Sequence, residues 1–143
     1  MWARKLHFGM LIRVAALLNP FEHVSLSKPS WKTFLSVSLF LLASAIQHDC
    51  HAYLSSLTKY TLPEHTLFRR VLCPHYTSEC MIYLALAMIA APRGQFLNKT
   101  LSTTLLFTAT NLAITAQSTR LWYSEKFGVD KIRNRWRMVP FLY

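Results

Sequence analysis

Apolar residues along this chain fall into runs, and each run meets a knot of polar and ionisable side chains. Thr33–Ile46 is uncharged and is closed by Gln47-His48-Asp49-Cys50-His51. Nothing breaks the helix predicted there before Pro63, so it extends through Leu57. Cys73-Pro74-His75-Tyr76-Thr77-Ser78-Glu79-Cys80 opens a second run, Cys80–Ala91, which Pro92-Arg93-Gly94 ends. The third run, Thr100–Thr119, runs into Thr119-Arg120-Leu121-Trp122-Tyr123. Its twenty uncharged residues match a hydrocarbon layer of about 30 Å at about 1.5 Å per residue. The first two runs are shorter, as expected if their polar ends line a site instead of facing lipid. A fourth segment, Leu6–Leu18, is short and interrupted by Arg13. That internal charge, and the lack of a small-residue cleavage site, argue against a signal peptide. The pattern predicts an all-α transmembrane helix bundle of about three to four spans. Residues 1–30 form an N-terminal segment and residues 31–143 the membrane domain.

Charge supports a membrane setting. Only 15% of residues are charged, against about 25% in soluble domains. They are lopsided, with 16 Lys+Arg against 6 Asp+Glu. The cations flank the apolar runs and gather in the tail (Lys126, Lys131, Arg133, Arg135, Arg137) without striping a helix, which disfavours nucleic acid as the partner and fits the positive-inside rule. A cytosolic C-terminus follows, with Pro92–Asn98 on the opposite side and residues 58–76 in the cytosol, where Lys59, Arg69 and Arg70 agree. All three polar knots then converge at the cytosolic face. The sequon Asn98-Lys99-Thr100 abuts the bilayer too closely to be a good glycan acceptor. The Arg133-Asn134-Arg135-Trp136-Arg137 stretch is expected to anchor lipid headgroups.

Residues four apart share a helix face. Gln47 pairs with His51, His75 pairs with Glu79, and Asn111, Thr115, Thr119 and Tyr123 make a polar stripe. Ionisable groups beside intramembrane helices are costly to bury and mark function by default. Together they predict a polar pocket suited to holding a ligand, since paired carboxylates and a Ser-His-Asp set are missing. The three glycines, at 9, 94 and 128, allow no Gly-rich nucleotide loop. Cys50, Cys73 and Cys80 lack framework spacing and receive no chemistry. A metal site from His48, His51, Cys73 and His75 rests on the weak H-x-x-H signal, so no metal is assigned. Polar side chains that merely join helices remain a rival reading.

At this point the motifs resemble a known family. Gln47-His48-x-Cys50-His51, Tyr60-x-Leu62-Pro63, Cys73-Pro74-His75-Tyr76-x-x-Glu79-Cys80-x-Ile82-Tyr83, Trp122-Tyr123-x-x-Lys126-Phe127 and Pro140-Phe141 are similar to the steroid 5α-reductase family. The Gln-His-x-Cys-His form resembles its polyprenol (polyprenal) reductase branch, the fungal members in particular. The resemblance implies a multi-helix endoplasmic reticulum membrane enzyme that uses NADPH to reduce a conjugated C=C bond, here the α-isoprene unit of a polyprenyl lipid, feeding dolichol synthesis and protein N-glycosylation. It implies cofactor contacts at Gln47, His51, His75, Glu79 and Tyr123. Thr58 stands where relatives carry an arginine, and Lys59 beside it is the substitute. Thr115 and Thr119 replace Arg and His of the steroid enzymes. The family's substrate-polarising Glu and Tyr find no counterpart in residues 1–30, so the chain resembles a C-terminal half, expected to be inactive alone. The alternatives are a membrane methyltransferase of the isoprenylcysteine type and a non-catalytic membrane fragment.

Overall fold

The computed structural model describes residues 30–58 and 61–140. The segment Leu6–Leu18, Lys59 and Tyr60 lie outside the described residues. Among the described residues there are four helices: α1 (Trp31–Ser56), α2 (Pro74–Ile89), α3 (Lys99–Phe127) and the one-turn α4 (Val129–Ile132). The expectation of a helical protein holds, and among the described residues the only β-type pairing is an isolated parallel bridge between Val71 and Trp136.

Small residues explain why α1 and α2 lie together. The buried positions of α1 are Ser36, Ala43 and Cys50, spaced by seven, so they return to one side of the helix after two turns. On α2 the buried set includes Ser78, Ala85 and Ala87. Ala43, Ala85 and Ala87 have no exposed surface. Side chains this small let backbones approach closely, the usual way helices associate where apolar burial gives little drive. The two buried hydroxyls cost little, because Ser36 donates to the Lys32 carbonyl at 2.6 Å and Ser78 to the His75 carbonyl at 2.9 Å. Large side chains point the other way: Trp31, Phe34, Leu41 and Leu42 are all exposed.

The middle helix is α2, packed against α1 on one side and α3 on the other, while α1 and α3 do not pack together. At one end the Lys32 ammonium donates to the Gln95 carbonyl at 2.9 Å, tying the start of α1 to the α2–α3 loop. Asn98 caps α3 there: its side-chain oxygen accepts from the Leu101 amide at 3.2 Å, and its Nδ2 donates to the Ala90 carbonyl at 3.0 Å. An amide engaged on both sides suits a structural cap better than a glycan acceptor. Gly128, with φ 90°, ends α3 in a conformation other residues adopt only with strain.

Of these helices α1 alone is long and apolar enough to cross a membrane by length and composition. The 16 residues of α2 reach about 24 Å. α3 is longer, with 29 residues, but rich in hydroxyls. Those hydroxyls turn back on their own helix: Ser102, Thr103, Thr104, Thr110, Thr115, Ser118 and Thr119 each donate to the carbonyl four residues earlier. A helix satisfied in this way presents fewer open donors than its composition suggests.

The main buried cluster sits at the opposite end, made of Leu72, Cys73, Ala116, Ile132 and Met138, with Leu62, Tyr76, Cys80, Leu112, Tyr123 and Val139 packed on it. The tail is sewn to the start of α2. Trp136 donates its amide to the Arg70 carbonyl at 2.8 Å, Leu72 to Trp136 at 2.8 Å and Cys73 to Arg137 at 3.0 Å. The Thr77 hydroxyl donates to the Met138 carbonyl.

Candidate functional site

All three polar knots meet at this sewn end. His51, near the end of α1, and His75, in the first turn of α2, approach with ring centroids 5.4 Å apart, edge to face. Tyr76 lies 4.2 Å from His75 by the same measure, and Phe68 6.3 Å. From α3, the Thr119 side chain comes within hydrogen-bonding reach of the Cys73 thiol. Tyr123 packs on the same cluster as Tyr76.

The local sequence accounts for this placement. Pro74 opens α2, where its missing N–H costs nothing, and the next residue, His75, is thereby fixed in the first turn facing α1. The loop before it is held by Tyr53, whose phenolic oxygen accepts from the amides of Glu64 at 3.0 Å and His65 at 3.3 Å. The Tyr53 ring lies 5.0 Å from His65 and 5.5 Å from Phe68. Phe68 is fully buried and forms the floor beneath His75.

These groups lie beyond the apolar runs, yet burial dominates their electrostatics. It lowers His75 to about 4, and the neighbouring His51 acts the same way, so His75 is neutral at physiological pH. Burial raises the Cys73 thiol to about 11, which makes it a poor nucleophile. The Tyr76 phenol is raised by burial first, then by Cys73 and Glu79. Burial also raises Tyr123, and Cys73 and Tyr76 add to this while Arg135 opposes it. Cys73, His75, Tyr76 and Tyr123 are therefore neutral groups at physiological pH. Oε1 of Gln47 and Nδ1 of His75 are buried here without a hydrogen-bond partner, as is Oε1 of Gln117 on α3.

Of the residues expected from sequence, His51 and His75 are brought into contact, and Gln47 lies one turn before His51 on α1. Glu79 lies one turn beyond His75, close enough for its charge to act on Tyr76 and Cys80. Tyr123 is half-buried beside Cys73 and Tyr76. Lys59 lies outside the described residues. Of the stripe expected on α3, Thr119 and Tyr123 are half-buried while Asn111 and Thr115 are exposed, and Ala116 carries the buried contact. Spacing put the stripe on one face without saying which face packs. His48 and Asp49 are exposed as well. Among the described residues no three His, Cys, Asp or Glu side chains are grouped to hold a metal ion.

Sequence reasoning missed Tyr53, Phe68 and Arg135. Arg135 was expected among headgroup anchors, but it is half-buried, and its Nη1 donates to the Pro63 carbonyl at 2.8 Å and the Phe68 carbonyl at 3.2 Å. The only sequence sign was an arginine placed inside a stretch that also holds Trp136.

Polar and aromatic side chains gathered at the end of a helical layer, one helix of which is long and apolar enough to cross a membrane, define the class only as an all-helical protein with a polar end. The particular family is then settled by comparison: the 3-oxo-5-alpha-steroid 4-dehydrogenase model matches residues 13–143, and the chain belongs to that family of oxidoreductases. Polyprenal reductase 1 of Oryza sativa subsp. indica is 32% identical over 139 residues, covering 93% of this chain and 36% of the relative. Polyprenal reductase of Saccharomyces cerevisiae is 32% identical over 139 residues, covering 95% and 51%. Steroid 5-alpha-reductase DET2 of Gossypium hirsutum is 30% identical over 118 residues, covering 79% and 43%. The chain thus spans between 36% and 51% of the length of these relatives. No solved structure matches it. Family membership separates the chain from the methyltransferase alternative.

Proposed function

We propose that this chain supplies the cofactor-holding end of an NADPH-dependent reductase acting on the α-isoprene double bond of a polyprenal or polyprenol. The product would enter the dolichol series that serves protein N-glycosylation. Polyprenal reductases among the relatives support the substrate class. The observation that supports the cofactor reading is the pair of buried polar atoms without a partner, Gln47 Oε1 and His75 Nδ1, beside the His51–His75 contact. Acceptors of this kind fit the hydroxyl and carboxamide donors of a dinucleotide. When bound, NADPH supplies hydride for reduction of the conjugated bond.

The chain's own residues hold and orient. Gln47 and His75 accept hydrogen bonds, His51 fixes the His75 ring edge-on, and Glu79 offers a carboxylate to ligand hydroxyls. Tyr123 bounds the site from α3, with Lys59 as the cation for a phosphate. Phe68 and Tyr53 keep water from the floor, where hydrogen bonds gain strength from low dielectric. No catalytic acid is assigned. The chain's setting would be the endoplasmic reticulum membrane, with the apolar runs of α1, α2 and α3 as spans and the sewn end, which carries the site, in the cytosol.

The test is titration of the purified chain in detergent micelles with NADPH, read by nicotinamide fluorescence. His51→Ala, at an exposed position, and Glu79→Gln, at a half-buried one, are each expected to weaken binding by about 0.5–1.5 kcal/mol, the range for an ordinary hydrogen bond. Arg133→Gln, at an exposed position, should change it little. Equal affinity across all variants with intact helix content would refute the assignment.

A further inference from the structure

The tail and the α1–α2 loop are joined by one side chain. A single nitrogen of Arg135, Nη1, donates to both the Pro63 and Phe68 carbonyls at 2.8 and 3.2 Å. These carbonyls bracket the turn that carries Phe68, so the guanidinium closes that turn from outside. Tyr53 closes it from α1 through the amides of Glu64 and His65. Between the two clamps the Phe68 ring is fully buried, 5.5 Å from Tyr53 and 6.3 Å from His75. His75 in turn meets His51 at 5.4 Å. Arg135 also lies close enough to Tyr123 for its charge to act on the phenol. It is thus placed between the loop that floors one side of the site and the α3 residue that bounds the other.

We propose that Arg135 is a positioning residue for the ligand site: by fixing the 63–68 turn through two carbonyls, it seats Phe68 under His75 and holds the His51–His75 pair in register. A planar, always-charged guanidinium suits this role, because it keeps its donors fixed in a partly buried setting. Two charge-assisted bonds to carbonyls that have lost water are stronger than neutral ones. The role deepens the cofactor reading above, but the turn, Phe68 and His75 are the chain's own, so its test needs no cofactor.

The groups around His75 that titrate are His51 from α1 and Tyr76 and Glu79 from its own helix; Arg135 acts through Phe68. The readout is the pH titration of the His75 ring in the full chain, labelled with 13C-histidine in micelles and assigned with His75→Gln. Arg135→Met should let water reach the ring and move its midpoint upward by about one pH unit or more, the direction that relief of desolvation gives a histidine. Arg135→Lys keeps the charge with a shorter reach and should shift it less. Unchanged His75 midpoints in both folded variants overturn the proposal. Loss of helix content in both also overturns it, because a residue required by the whole fold is not a local positioning device. NADPH affinity is measured alongside on the same samples. A moved midpoint without any NADPH binding in the wild type would retain the positioning role and reject the cofactor reading.

Discussion

Replacing Ala43 by leucine tests the packing that brings the two histidines together. Ala43 has no exposed surface and lies midway in the Ser36–Ala43–Cys50 seam of α1. α2, which packs on α1, also buries small residues, Ala85 and Ala87, without exposed surface. With small groups buried on both helices, the added carbons of a leucine have little room without moving the backbones. Overpacking of this sort costs about 1–3 kcal/mol, and 1.4 kcal/mol is about a tenfold change in the folded-to-unfolded ratio. The matched control is Leu42→Ala, one residue away but 58% exposed, expected to change stability by about 0.5 kcal/mol or less. Cys50 gives a local reading as well. Its thiol is buried and raised by that burial first and by Asp49 second, so it should react slowly with a maleimide. Ala43→Leu should accelerate its labelling while Cys80, already part-exposed, keeps its rate. Denaturation in mixed micelles and mass spectrometry of the labelled cysteines supply both numbers. If Ala43→Leu is neutral by both and Leu42→Ala is the damaging change, α1 does not present this seam to α2.

Two further outcomes concern pH and the far end of the layer. His75 is held near 4 by burial and His51, below the ordinary histidine range of about 6.5. The unfolded chain therefore takes up a proton that the folded chain refuses. Stability should be level above about 6.5, fall as pH drops from there through about 4, and level again below, with at most one proton's slope. His75→Gln should remove that component in unfolding experiments at stepped pH, and an identical slope in the variant would reject it. Asn98→Ala should cost about 0.5–2 kcal/mol by removing the α3 cap, read as a shift in unfolding midpoint. Asn98→Asp, which keeps the acceptor for Leu101 and loses the donor to Ala90, should fall between. A neutral Asn98→Ala would rule out the capping role.

The helices and the meeting of polar knots were legible because they depend on local patterns. Uncharged runs locate α1, α2 and α3, and i,i+4 spacing pairs His75 with Glu79 and Gln47 with His51. The contact between His51 and His75 followed from placing both knots at one end of the runs. What stayed hidden depends on the third dimension. Threonine on α3 looks polar in sequence, yet in the helix Thr115 satisfies itself on Asn111 and stays outside. Ala116, which has no chemistry to notice, makes the buried contact. Arg135 looked like its neighbour Arg133. After α4 ends at Ile132, however, the chain turns back along residues 70–73, which leaves Arg133 exposed and carries Arg135 to the loop. No short-range rule reports a return from that distance.

The tail's stitching has a consequence for the order of events during synthesis. Thr77 and Met138 are 61 residues apart, and Arg135 and Pro63 are 72 apart. Domains fold as the chain emerges, N-terminal parts first, at roughly 5–20 residues per second. The α1–α2 layer can form early, but the carbonyls of Pro63, Phe68 and Arg70 wait several seconds or more for donors that have yet to be translated. During that interval the floor under His75 is unsupported, and the thiol of Cys73, later sealed by the tail, is open. The ribosome thus delivers the tail after the rest of the site, and a nascent chain arrested between residues 75 and 135 would carry both His51 and His75 without the means to hold them in place.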